Sequence, residues 1–363
     1  MTTLRPAREQ TITAPVREPR ARLGSSTGAV VHAYWWQWAD GRRYFLLVYA
    51  LALLGLLFVF SSSFPRASRP TNAEDPFFYF RHQFFALVLG MVLMLVVSHL
   101  RLRHLQWLSL IGMGAGMLLV LSLFKWGVTV SGACNWLSIG GVRFQPAELT
   151  KVAYIGFMAY LLAYRSHFRV KWRPLAWMVG GTLALVFILI KQNDLGMAML
   201  IMGIALGMAL LGGLKFRYWI LLLSAIAGLG LLAARMEEYR WARIEAWLDL
   251  ANHRSGVGYH VYGMLISLAR GGPFGTGFGM SREKWTTLPV PHTDSIFCVV
   301  GGELGLWGAL GLIVLMTLLS LWAFHIARTS ASRLGWYLAA GSGLALSLQA
   351  FINIAVATAP IPV

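Results

Sequence analysis

The chain has 363 residues, 57% of them hydrophobic and 12% charged, with a mean hydropathy of +0.63, whereas a soluble domain carries roughly 25% charged residues. Nine or ten spans of about 20 apolar residues would fill roughly half of such a chain, so the composition excludes a soluble enzyme and points to a polytopic helical membrane protein. The net charge of +17, from 31 basic and 14 acidic residues, reads as loop topology and attraction to anionic headgroups rather than as nucleic-acid binding. Two cysteines, Cys134 and Cys298, exclude a disulfide scaffold or a cysteine-based zinc site.

Residues 1–44 are polar and Arg-rich with no apolar period, which predicts a disordered basic tail. Tyr34, Trp35, Trp36 and Trp38 gather before the first apolar run as an interfacial anchor would. Apolar runs then follow at about 45–61, 83–98, 105–124, 149–164, 175–190, 195–214, 217–234, 296–324 and 334–356, so that nine spans are visible. Basic residues fall in alternate connections: Arg42 and Arg43, Arg101 and Arg103, Arg165 to Arg173, Lys215 and Arg217, Arg328 and Arg333. The positive-inside rule places those connections and the N-terminus in the cytoplasm. The outer loops are then about 62–80, 125–147, 191–194 and 235–295. The last is the longest and lies between spans seven and eight. Within it, 239–250 mixes aromatic and charged residues like a helix lying among headgroups. A second short helix is predicted over 259–269, ahead of the breaker Gly271-Gly272-Pro273. Function tends to sit on long ordered loops carried by a rigid scaffold, so the outer face is where the chemistry is expected.

The carboxylates can be sorted individually. Glu237, Glu238, Glu245, Asp249 and Glu283 fall in the long outer loop and are expected to be solvated. Glu148, Asp194, Asp294 and Glu303 lie at or inside membrane ends, where an ionisable group is costly and faces a partner or a polar cavity. Glu148 and Lys151 share one helical face; they either pair locally or line a substrate cavity. Asp194 sits in a turn between two spans and is either an N-cap or a functional acid. Glu303 stands among Gly301, Gly302 and Gly305, which suggests close helix packing around it. Asp294 lies where the long loop meets the eighth span, as an N-cap or as a tuned general base. Arg243, Arg270, Arg282 and Lys284 in the preceding loop could contact an anion, and His292 could orient the loop or touch substrate. The Gly275–Gly279 segment follows no strand and so does not read as a nucleotide loop.

Six ordered segments resemble the SEDS family of glycosyltransferases, which includes FtsW, RodA and SpoVE, over about residues 45–363. They are Gln145-Pro146-Ala147-Glu148 with Lys151, Asn193-Asp194-Leu195-Gly196, the run from Gly271 to Gly279, His292-Thr293-Asp294, Glu303-Leu304-Gly305, and 349–358, the last closer to the FtsW branch. The resemblance implies an all-α, SEDS-type bundle of ten helices in a bacterial plasma (inner) membrane, nine of them visible here, with the tenth beyond Val363. It implies polymerisation of lipid II into a growing glycan strand, in cell division or cell-shape maintenance, beside a class B penicillin-binding transpeptidase. The family's catalytic Asp maps onto Asp294. That carboxylate would take the proton of the acceptor sugar's 4-hydroxyl, which attacks the donor's anomeric carbon with inversion and expels a lipid pyrophosphate. Arg243, Arg270 and Lys284, or a divalent cation (Mg or Mn), would stabilise the leaving group. Glu148, Lys151, Asp194, His292 and Glu303 complete the substrate-binding candidates.

The chain departs from the family pattern at several positions. Val290-Pro291 precede His292, Gly302 stands where the family has a first Glu, and Asn135 where it has Arg. Ser295 replaces an aromatic residue, and His260 replaces Gln. Two rivals remain from the same helices: a lipid-linked precursor flippase or transporter, and a non-catalytic divisome scaffold.

Overall fold

The computed structural model describes residues 39–360 apart from 68–76, 131, 141, 166–172, 236–237, 251, 254–255, 257, 287, 289–290 and 292. Much of the predicted tail and His292 therefore lie outside the described residues. Long apolar runs become helices because only a helix satisfies its own peptide groups in hydrocarbon. The order is α1 (Ala39–Ala67), α2 (Phe78–Ser98), α3 (Leu102–Trp126), β1 (Gly127–Val130), β2 (Ala133–Ile139), β3 (Val142–Phe144), α4 (Pro146–Tyr164), α5 (Arg173–Lys191), α6 (Leu195–Leu211), α7 (Phe216–Arg235), α8 (Glu238–Leu248), α9 (Tyr259–Gly271), α10 (Glu283–Thr286), α11 (Ile296–Thr329) and α12 (Arg333–Ala357).

Every predicted run lies on a helix, with shifted ends. The first helix begins at Ala39 rather than 45, with Asp40 in its first turn, where a carboxylate favours the positive end of the helix dipole but adds nothing to an apolar count. It also continues past 61 through Ser61, Ser62 and Ser63, all buried. Among the described residues six helices, α1, α2, α3, α5, α11 and α12, are long and apolar enough to cross a membrane. The 17-residue α6 is about 26 Å long at 1.5 Å per residue, short of a roughly 30 Å hydrocarbon core. Helix α4 carries Glu148 and Lys151 near its start. Thus six of the nine predicted spans meet length and composition together.

The connection after α3 was predicted only as an outer loop. It holds an antiparallel sheet in the order β1-β2-β3, with Val128 opposite Trp136 and Ser138 opposite Arg143. Val128, Val130 and Val142 favour strands, but the run is too short and interrupted for the alternation to stand out. The sheet hangs on the helix hairpin that follows, through a bond from Cys134 N–H to the Gln192 carbonyl at 3.0 Å.

Among the described residues two apolar clusters pack parts of the bundle. The larger packs α3, α4, α5, α6 and α12 around Tyr154, Met158, Leu189, Ile204 and Met208. The smaller packs α9 against α11 around Met264, Cys298 and Val299. Helix α11 breaks at Gly305, whose φ of 71° and ψ of −165° are not helical. The glycine-rich loop after α9 crosses at that break. Thr276 and Gly277 N–H donate to the Gly302 and Glu303 carbonyls at 3.0 Å each, and Leu306 N–H donates to the Gly272 carbonyl at 2.8 Å. The loop thereby satisfies backbone groups that the break leaves open, each of which would cost about 1–3 kcal/mol unpaired. Gly275 permits this crossing: its φ is +80°, and a β-carbon there would sit 2.1 Å from the Glu303 carbonyl oxygen.

Candidate active site

Because the long helices run alternately up and down, one end of the bundle collects the C-termini of α1, α3, α5, α7 and α12 with the N-termini of α2, α4, α6 and α11. The sheet and the loop helices α8, α9 and α10 join the same end. Direct bonds tie it together, among them Trp247 Nε1–H to the Ala359 carbonyl at 2.6 Å. Apart from His292, which lies outside the described residues, the site candidates from the sequence fall here, in three polar groups.

The first group lies where α4, α5, α6 and the sheet meet. Asp194 caps α6, its Oδ1 accepting from Met197 N–H at 3.1 Å. Its Oδ2 accepts from Asn135 Nδ2 at 2.9 Å and Gln145 Nε2 at 2.8 Å. Lys151, buried, pairs with Glu148 at 2.6 Å and donates to Gln349 Oε1 at 2.9 Å. Both local readings from the sequence, the cap and the i, i+3 pair, are therefore present in the geometry. Gln349 was not singled out, although an amide within an otherwise apolar span is the usual sign of an interhelical hydrogen bond.

The second group sits at the break in α11. Glu303 and Lys284 are both buried and 2.7 Å apart. Ser61 donates to Glu303 Oε1 at 2.6 Å and accepts from Lys284 Nζ at 2.9 Å. This joins α1, α10 and α11. Lys284, expected as a pyrophosphate contact, has its ammonium committed to this pair. Next to it, Glu283 is 2% exposed, which corrects the expectation that it is solvated. It accepts from Arg270 Nη1 at 2.7 Å and Ser281 Oγ at 3.1 Å. Burial pushes its proton affinity up, but bonds from its own backbone N–H, Arg270 and Ser281, with the Arg270 charge, outweigh that and hold it below the usual Glu value. A sequence position in a polar loop gives no hint of this, because the burial comes from the docking of α10 onto α9 and α1.

The third group surrounds Asp294. The N-cap of α11 is Ser295, whose side chain makes no capping bond, so Asp294 is not the cap. Its carboxylate is exposed and receives no hydrogen bond from the described residues. His260 on α9 meets Ser295 Oγ through Nε2 at 3.1 Å. Burial lowers the proton affinity of His260; the Asp294 charge opposes that shift and the Arg243 charge adds to it. In the sequence His260 stands out only as a departure from the family pattern. Arg243 is half-buried on α8, and Arg270 is 62% exposed while paired to Glu283. Among the described residues, no three His, Cys, Asp or Glu side chains converge as a metal site would.

Among the described residues the site can thus offer the Asp294 carboxylate, which accepts no hydrogen bond, with a half-buried imidazole on which its charge and that of Arg243 act. A sequence profile of a family described as cell cycle protein, that of FtsW, RodA and SpoVE, matches residues 42–363. A probable peptidoglycan glycosyltransferase FtsW of Halorhodospira halophila is 35% identical over 328 residues, covering 88% of this chain and 82% of that one. One of the same name from Thioalkalivibrio sulfidiphilus is 36% identical over 324 residues, 86% and 79% of the two chains. Among solved structures, a chain from a peptidoglycan synthase complex, described as coordinating polymerization and crosslinking, matches with a TM-score of 0.70 at 27% identity, over 91% of this chain and 89% of that one. The rod shape determining protein RodA of Thermus thermophilus matches with a TM-score of 0.62 at 25% identity, over 88% and 86%.

Proposed function

The chain belongs to the FtsW, RodA and SpoVE family of cell cycle proteins, and from that premise we propose that it is a peptidoglycan glycosyltransferase that polymerises lipid II at the outer face of a bacterial plasma membrane. The observation that carries the reading is the state of Asp294. Glu148 and Glu303 are tied to lysines, Glu283 to an arginine and Asp194 to two amides and a backbone N–H. Asp294 alone of this set accepts nothing from the described residues and is exposed to an incoming hydroxyl.

In the proposed reaction Asp294 removes the proton of the acceptor sugar's 4-hydroxyl. The oxygen attacks the donor's anomeric carbon from the face opposite the lipid pyrophosphate, which leaves with the bonding pair. One displacement inverts the centre and needs a base but no carboxylate nucleophile. Arg243 and Arg270 are the candidate cations for the leaving group. Glu148, Lys151, Asp194 and Glu303 shape the substrate-facing end through the bonds they make with one another and with their neighbours, and His292 belongs to the loop that presents Asp294. The chain works with the nine predicted spans in the membrane, the N-terminus cytoplasmic, and a class B penicillin-binding transpeptidase as partner. The likeness to a synthase complex described as coordinating polymerization and crosslinking supports that partner.

Along the six spanning helices the ionisable side chains stand in the end turns, Glu303 at the α11 break excepted. That distribution favours surface chemistry over carriage through the midplane, where transporters keep their charges. Purified protein with its cognate transpeptidase and lipid II tests the proposal. Asp294→Ala and Asp294→Asn should slow strand formation by about 10²–10⁴-fold, the usual worth of a general base, with transpeptidase binding preserved. Polymerisation by Asp294→Ala at the wild-type rate would refute it.

A further inference from the structure

Ser295 is fully buried and occupies the N-cap of α11, yet its hydroxyl does not cap the helix. It meets His260 Nε2 instead, at 3.1 Å. The peptide before it carries Asp294. The imidazole of α9 therefore grips the first turn of α11 one residue from the carboxylate, on a side chain that has no freedom to rotate into solvent.

We infer that His260 is the positioning residue for the Asp294 base: as a neutral ring it accepts the Ser295 hydroxyl and fixes the aim of the carboxylate, and its protonation undoes both the aim and the basicity. The inference rests on the reading of Asp294 as general base. Protonation turns Nε2 from an acceptor into a donor, so the bond to Ser295 reverses: the hydroxyl must rotate to accept, its proton must find another acceptor, and the contact that fixes the first turn of α11 is reset. It also sets a cation beside Asp294, which favours the ionised carboxylate and weakens it as a base. The charged groups acting on the ring are Asp294 at the start of α11 and Arg243 on α8. On α9 itself Arg270 stands near the far end, paired to Glu283. Burial and Arg243 outweigh Asp294 and keep the ring neutral at pH 7.

Polymerisation of lipid II by the purified protein with its cognate transpeptidase, followed from about pH 5 to 8 across the range where His titrates, tests this. The wild-type kcat should fall along an acid limb below about pH 6.5. His260→Gln keeps an amide within reach of Ser295 and should retain activity near pH 7.5 while losing that limb. His260→Ala should lose about 10–100-fold in kcat, the scale of a misplaced catalytic group, with KM nearly unchanged. The same acid limb in His260→Gln, or wild-type turnover by His260→Ala, overturns the inference. If His260→Ala does not fold, the pH profile of His260→Gln decides alone. Full activity in Asp294→Ala removes the base and this inference with it; an inactive Asp294→Ala beside unaltered His260 variants removes this inference alone.

Discussion

Lys284→Met keeps the length of the side chain and deletes its ammonium, which isolates the electrostatic worth of the buried pair. In the wild type, Lys284 is 4% exposed and Glu303 is fully buried, their charges 2.7 Å apart with Ser61 bridging them. Glu303 Oε2 has no partner among the described residues, so the lysine and one hydroxyl carry the entire compensation for a desolvated carboxylate. Removing one member of such a pair costs about 3–5 kcal/mol, because the survivor stays buried and uncompensated. Removing both costs far less. Lys284→Met with Glu303→Gln leaves an amide that still accepts from Ser61, and such neutral replacements of buried pairs are often close to thermodynamically silent. The expected coupling between the two substitutions is therefore about 2–4 kcal/mol.

Thermal unfolding of the protein in lipid nanodiscs measures it. Lys284→Met should lower the melting temperature by at least about 5 °C, and the double variant should recover more than half of the loss. Limited proteolysis adds a local readout, since the pair binds α10 to α1 and α11 and its loss should open the segment before Asp294 to cleavage. Additive effects of the two substitutions would refute the reasoning, because they would mean that the charges do not depend on each other.

Gly275→Ala should destabilise the protein by roughly 1–3 kcal/mol or abolish its expression, since it strains a residue at φ +80° and drives a β-carbon into the Glu303 carbonyl; melting temperature and yield report it, and a neutral result would mean that the strap does not cross as described. His260 supplies a pH dependence of stability. Its folded proton affinity lies below the unfolded one near 6.5, so between those two values the unfolded chain binds more protons. Stability should be fully present above about pH 6.5 and fall as the pH drops toward the folded value, with no further loss from this group below it. His260→Gln should flatten that segment of a melting-temperature profile; an unchanged slope would assign the effect elsewhere.

The helices were legible in the sequence because hydrocarbon forces apolar runs into helices, and Glu148 with Lys151 was legible because pairs three residues apart on a helix depend on nothing distant. Asp194 was readable as a cap for the same reason. Ser61, Glu283 and His260 were not, and the cause is common to all three. Each acquires its role from an element far along the chain: Ser61 from Glu303, Glu283 from Arg270, His260 from Ser295. A serine in an apolar run, a glutamate in a polar loop and a histidine on a short amphipathic helix are locally unremarkable. A weak signal is available only for Ser61, since three consecutive serines, Ser61 to Ser63, stand near the end of an apolar helix, where polar side chains often bond across helices. The sheet escaped notice on other grounds, since strands of 4, 7 and 3 residues are too short for alternation to rise above chance.

Asp294 and Glu303 are nine positions apart at the head of α11, about 13 Å along a helix, and their opposite states follow from one structural choice. The break at Gly305 lets the glycine-rich loop cross the helix and complete its hydrogen bonding. That loop leads directly into α10, which brings Lys284 to Glu303 and Glu283 to Arg270. With the lower part of this turn clamped by charge and the upper part gripped by His260 through Ser295, the carboxylate between the loop and the helix needs no bond of its own to stay in place. An acid that must accept a proton from a sugar works best when its lone pairs are not already engaged, and here neighbouring groups carry the positioning. Perturbations at the strap or at Lys284 should accordingly reach Asp294 through the start of α11, lowering turnover more than substrate affinity.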